Sequence, residues 1–159
     1  MSEHLMEYFM DAAVKEAQKG MRNNEGGPFG AVIVKDDTII SKGHNEVLGT
    51  NDPSAHAEIV AIRKASAALE DFDLSGCELY ATTMPCPMCL SAIMWARIGK
   101  IYYGTSTEDV ASLGFDDGDI YAMLREGVDT SVLSEVKIEC ENCYELFDEW
   151  SKKPDKRMY

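Results

Sequence analysis

Residues 77–95 read CELYATTMPCPMCLSAIMW, and the order of elements in them is the key to the chain. CELYATT, 77–83, is a short apolar run with the look of a buried strand. PMCLSAIMWAR, 87–97, follows as an apolar helix, and Pro87 is acceptable in its first turn. KIYYGTS, 100–106, then supplies another strand. Strand, helix, strand is the unit from which parallel sheets are built, with helices covering their faces.

The pattern extends outward in both directions. TNDPSAHAEIVAIRKASAALE, 50–70, opens on Asn51, Asp52, Pro53 and Ser54, all residues that start helices, and its periodic set Ile59, Ile62, Ala65 and Ala68 predicts a buried stripe. AVIVKDDTIISKGHNEV, 31–47, reads as a hairpin with a tight Lys-Asp-Asp-Thr turn. NNEGGPFG, 23–30, is a glycine-rich loop, and an amphipathic helix is expected over about 3–21. Downstream come acidic loops and short helices, a strand near SVLSEVKIE, 131–139, and a helix near CYELFDEW, 143–150. The expectation is one α/β domain, with a mixed sheet, parallel central strands and helices on both faces. In such sheets sites gather where loops leave the carboxyl ends of strands.

Composition narrows the function. A chain of 159 residues suits one core, and 45% hydrophobic residues is too many for a disordered chain. No apolar run approaches the ~20 residues that span a bilayer. The first twenty residues lack the basic segment and apolar block of a signal peptide. A soluble cytoplasmic protein with no membrane partner is expected. Twenty-eight acidic residues against 15 basic ones give a net charge of −13, a field that repels phosphate backbones and argues against a nucleic-acid partner. The one basic stretch is the tail SKKPDKRMY, 151–159.

Five cysteines, Cys77, Cys86, Cys89, Cys140 and Cys143, make an odd number, and without signs of secretion a disulfide framework is not expected. Cys86 and Cys89 stand one helical turn apart at a helix start, where the dipole favours thiolates. A redox pair would use both but leave His56 and Glu58 without a role. Zinc uses more of the pattern. If the helices beginning near His56 and Cys86 are successive crossovers on one face, His56, Cys86 and Cys89 converge as three ligands, and the fourth position is left to water or hydroxide. A structural zinc would need a fourth protein ligand, and His44, Cys77 and Asp52 are the candidates. Glu58, two residues after His56, can face that water and carry its proton. Cys140 and Cys143, in CENC, lie among Glu139, Glu141 and Glu145 and read as incidental thiols at an acidic helix start. Cys77 reads as core.

HAE at 56–58 with PCPMC at 85–89 matches the H-x-E…P-C-x-x-C signature of zinc nucleobase deaminases. The chain resembles the zinc-dependent cytidine deaminase-like superfamily through HAEIVAIRKAS and PCPMCLSAIMWAR. Within it, GGPFGAVIVKD, GHNEVLGTNDPSAHAE, GFDDGDIY and the terminal KRMY resemble the bacterial guanine deaminases. NDPSAHAE is shared with tRNA adenosine deaminases.

The resemblance implies a three-layer α/β/α sandwich around a five-stranded mixed sheet, formed by a single deaminase domain over 1–159. It implies hydrolysis of guanine to xanthine and ammonia in purine catabolism. One Zn²⁺ per subunit would be held by His56, Cys86 and Cys89, with Glu58 as proton shuttle. Asn45 and the backbone N–H of Ala57 would contact the purine, Phe29 and Trp95 would enclose it, and Asp117 would touch its edge or help move protons. The resemblance further implies a homodimer that exchanges a C-terminal segment, about 140–159, so that Tyr159 closes the partner's site. One position departs from the pattern. Those deaminases usually carry Glu before the PC of the motif, and this chain has Met84. That leaves related aminated rings such as isocytosine, ammeline, cytosine or another purine as alternative substrates, with tRNA adenosine behind them.

Overall fold

The computed structural model describes residues 3–127, 129 and 131–158. Residues up to Gly118 form one compact unit and those from Asp119 onward a second.

The first unit is built on a four-stranded sheet in the order β2-β1-β3-β4, with β1 Gly30–Lys35, β2 Thr38–His44, β3 Cys77–Thr83 and β4 Lys100–Thr105. The sheet is mixed, as expected, but its centre is not parallel. β1 is antiparallel to both β2 and β3, and only β3 and β4 pair in parallel. The hairpin explains this. Asp36 and Asp37 both take positive φ, 48° and 58°, which closes a two-residue turn whose twist suits the strands it joins. A bulge at Ile40 then re-aims the end of β2, since Ile33 pairs with Ser41 and Val34 with Ile39.

Alternation along β1 sorts the core into two layers. Ala31 and Ile33 face one side, with Leu79, Ala81, Ile93 and the small residues Ala57, Ala61 and Ala65. Val32 and Val34 face the other, with Phe9, Ala12, Ala13 and Tyr80. Helix α1, Glu3–Arg22, therefore covers one face, while α3, Ala57–Leu69, and α4, Pro87–Trp95, cover the opposite face. Each large side chain buried here, such as Phe9, Ile33 or Leu79, contributes about 1.5–3 kcal/mol.

The stripe of α3 matches the expected one in part: Ala65 is in the core and Ile62 packs against it. Ala57, Glu58, Val60, Ala61 and Ala65 are buried, whereas Ala68 is exposed. Small residues face the sheet because the backbones approach closely. A Cβ on Gly43 of β2 would lie 2.5 Å from the Ala57 carbonyl oxygen and 2.7 Å from the Ala61 nitrogen. The helix also starts later than Asn51–Ser54 suggest. Asp52 accepts from the Ser54 N–H at 2.9 Å and the Ser54 hydroxyl at 2.6 Å, forming a local turn, and His56 is the residue that caps α3. A short helix, α2, Val47–Thr50, precedes that turn, and another, α5, Thr107–Ala111, follows β4.

The second unit carries most of α6, Gly118–Glu126, and all of α7, Glu141–Lys152. The expected fifth strand is absent among the described residues. Residues 133–140 have no regular structure, and Val132, Val136 and Ile138 are 72%, 79% and 74% exposed. An alternating apolar run becomes a strand only where a neighbour supplies the hydrogen-bond ladder, and this one has none.

The close approach at Gly43 is testable. Gly43→Ala should destabilise the protein by about 1–3 kcal/mol, because both atoms it meets are backbone. Gly99→Ala, where an added Cβ meets nothing within 4 Å, serves as the control. Thermal unfolding should show a midpoint lowered by several degrees for the first and unchanged for the second; equal midpoints would mean that α3 is not pinned at this point.

Candidate metal centre and active site

The strand directions decide where the site lies. β2 and β3 are each antiparallel to β1, so they run the same way and end at the same edge of the sheet. Helix α3 begins after β2 and α4 begins after β3, both on one face. Their N-termini are thereby brought together at that edge.

The two N-caps are His56 and Cys86, each in extended conformation and neither making a side-chain capping bond. The positive ends of both helices favour anionic ligands. Cys89 lies in the first turn of α4, beyond Pro87. His56 Nδ1 is 3.5 Å from Cys86 Sγ and 3.5 Å from Cys89 Sγ. Zinc at ~2.3 Å from sulfur and ~2.05 Å from nitrogen in a tetrahedron sets that edge at about 3.6 Å, so the three residues fit the ion. Among the described residues, they form the one cluster of three or more such ligands whose donor atoms lie within 4.8 Å of one another.

The other candidate ligands lie elsewhere. Cys77 is core, Asp52 is in its turn and His44 contacts carboxylates. Among the described residues, no fourth protein ligand joins the cluster.

The site is electrostatically primed. The Cys86 thiol is pushed down to about 4, chiefly by its hydrogen bond with Cys89 and also by His56, against the effect of burial. The same bond with Cys86 pushes Cys89 up, as does burial. His56 is raised by its bond to Cys86. Glu58 is 8% exposed, its Oε2 is 3.5 Å from Cys89 Sγ, and burial pushes its carboxyl above the ordinary range.

The expected purine contacts divide. Asn45 is buried at the end of β2; its N–H donates to the Phe29 carbonyl at 3.1 Å, and its Oδ1 accepts from the Val47 N–H at 3.1 Å. Phe29 is half-buried just before β1, at this same edge. Ala57 is the first helical residue of α3 and fully buried. Asp117 is raised by burial first and then by the negative charge of Cys86. Asp116 instead accepts from the Gly118 N–H at 2.8 Å and serves the backbone.

Trp95 is not brought to the site. It ends α4, nine residues after Cys86, or about 13 Å along the axis, and is 70% exposed. Tyr159 lies outside the described residues. The sequence reading leaves Phe115 unassigned, yet its ring packs edge-on against Phe29 at 5.1 Å between centroids. Its position inside GFDDGDIY was the available signal. Met84, where the pattern departs, is half-buried, and its N–H donates to the Thr105 carbonyl at 2.9 Å. That backbone bond does not depend on the side chain.

Comparison with known proteins agrees with this geometry. The family described as the cytidine and deoxycytidylate deaminase zinc-binding region matches residues 3–105. The chain is 41% identical to the guanine deaminase of Bacillus subtilis (strain 168) over 153 residues, covering 96% of this chain and 98% of that one. A solved structure of guanine deaminase from Bacillus subtilis superposes with a TM-score of 0.92 at 40% identity, covering 100% of this chain and 99% of that one. The tRNA-specific adenosine deaminase of Aquifex aeolicus (strain VF5) is 46% identical over 97 residues, 61% of this chain and 64% of that one.

His56→Ala or Cys86→Ser should reduce bound zinc far below roughly one ion per chain, since two ligands hold the ion poorly. Glu58→Gln should leave the metal content unchanged. Elemental analysis of the purified variants would read both, and loss of zinc in Glu58→Gln would assign that carboxylate to the metal itself.

Proposed function

The chain belongs to the cytidine and deoxycytidylate deaminase zinc-binding family, and on that premise we propose that it is a zinc-dependent guanine deaminase, converting guanine and water to xanthine and ammonia. The observation that carries the chemistry is Glu58, a buried carboxylate beside a His–Cys–Cys cluster with zinc spacing. Support for guanine comes from the extent of the match. It runs through 96% of the chain for the guanine deaminase but 61% for the tRNA deaminase, and a net charge of −13 disfavours a polyanionic substrate.

Zinc held by His56, Cys86 and Cys89 would leave its fourth position to water and supply a Lewis acid that makes this water a nucleophile near neutral pH. Glu58 takes the proton of the attacking water as its oxygen bonds to the purine carbon bearing the amino group. The same carboxyl returns a proton to the amino nitrogen, the carbon–nitrogen bond breaks, and ammonia leaves. Burial suits Glu58 to both roles, because a carboxylate raised above its ordinary range accepts a proton near neutral pH more readily than one in water and can then pass it on.

Asn45 and the Ala57 N–H orient the purine in its plane, and Phe29, backed by Phe115, covers a ring face. Asp117 contacts the ring edge, and its raised carboxyl can share in proton movement. The reading includes a homodimer that exchanges the segment from about 140 to 159, so that Tyr159 closes the partner's site.

Ammonia release from zinc-loaded protein tests this directly, with guanine, isocytosine, ammeline, cytosine, cytidine, guanosine and an adenosine-containing tRNA stem-loop offered separately. Guanine should be turned over best. Preference for another ring would keep the chemistry and overturn the substrate. Glu58→Ala should lower turnover about 10²–10⁴-fold with zinc retained. Removal of the last four residues should impair turnover more than the unfolding midpoint; normal turnover would sink the idea of a closing tail.

A further inference from the structure

We propose that His44 is a positioning residue that holds Asn45 in place for the purine, an inference that rests on the guanine reading above. His44 ends β2, directly before Asn45, and is 4% exposed. Its ring lies against the backbone of α1, where a Cβ on Gly20 would fall 2.3 Å from His44 Cδ2. Three carboxylates surround it. Nδ1 is 3.0 Å from Glu16 Oε2, and Nε2 is 2.9 Å from Glu25 Oε2 and 3.9 Å from Glu46 Oε1. The Nε2 contact lacks the alignment of a hydrogen bond. Both ring nitrogens face carboxylate oxygens.

The clasp reaches Asn45 through Glu25. The Glu25 N–H donates to the Gly20 carbonyl at 3.0 Å, and its own carbonyl accepts from Leu48 and Gly49, both at 2.9 Å. Glu25 therefore joins the end of α1, the short helix α2 and the His44 ring. The next residue, Gly26, lies against the Asn45 amide, where a Cβ would come within 2.1 Å of Oδ1. With Oδ1 engaged by the Val47 N–H, Nδ2 is the group that Asn45 presents to a ring acceptor. His44 thus fixes the loop on one side of the Asn45 amide and β2 on the other. No contact runs from His44 to the metal cluster.

A double-mutant cycle between His44→Gln and Asn45→Ala tests the link. The readouts are guanine KM, kcat, zinc content and the unfolding midpoint. His44→Gln should raise KM about ten-fold or more, with kcat within about three-fold and zinc unchanged. In the Asn45→Ala background the same change should move KM less than about two-fold. Glu25→Gln, at a partly exposed position, should shift KM in the same direction with the unfolding midpoint little changed. An unchanged KM in His44→Gln and Glu25→Gln, or effects that multiply independently in the double variant, would overturn the role of His44 while guanine turnover stands. No guanine turnover in the unmodified chain would overturn the substrate reading and this assignment with it.

Discussion

Two helix N-termini meeting at one edge of the sheet is the constraint on which the site depends. Each end concentrates unsatisfied N–H groups, and each would ordinarily be capped by a serine or aspartate. Here the caps are His56 and Cys86, without side-chain capping bonds. Bringing two positive ends together is unfavourable unless negative charge is placed between them. Cys86, held far below an ordinary thiol, supplies some of it, and a thiolate is also what zinc binds. Local geometry and metal affinity therefore ask for the same residues.

The convergence depends in turn on the hairpin. Because β1 runs opposite to both of its neighbours, β2 and β3 run alike and their following helices start at one edge. The glycine at position 43 lets α3 sit against the sheet backbone to backbone. A larger residue would lift the helix that carries His56, Ala57 and Glu58 together. Small residues on the buried face of α3 follow from the same requirement, so packing and chemistry are coupled through interhelix and helix–sheet distance.

Burial separates the tasks of the acidic groups. Glu58 and Asp117 are raised by desolvation, whereas Asp52 and Asp116 are spent on backbone N–H groups. Neighbouring residues in GFDDGDIY thus have different duties, and only the surroundings distinguish them. The second unit is governed differently. Its helices bury no residue, and Leu146, Phe147 and Trp150 of α7 are 63%, 72% and 41% exposed.

Sequence alone determined the order of the main elements over 30–105 and the cluster His56, Cys86 and Cys89, because periodicity and ligand spacing are local quantities written along the chain. Tertiary structure decided the rest. It showed that the sheet centre is antiparallel, that α3 also turns Ala57, Val60 and Ala61 inward, and that Trp95 stands at the far end of its helix from the cluster. It placed Phe115 on Phe29 and His44 among three carboxylates. It also left 131–139 unpaired, where alternation alone predicts a strand. These outcomes turn on which backbone lies beside which, and a ladder, a buried charge or a ring contact exists only when residues distant in sequence supply its other half.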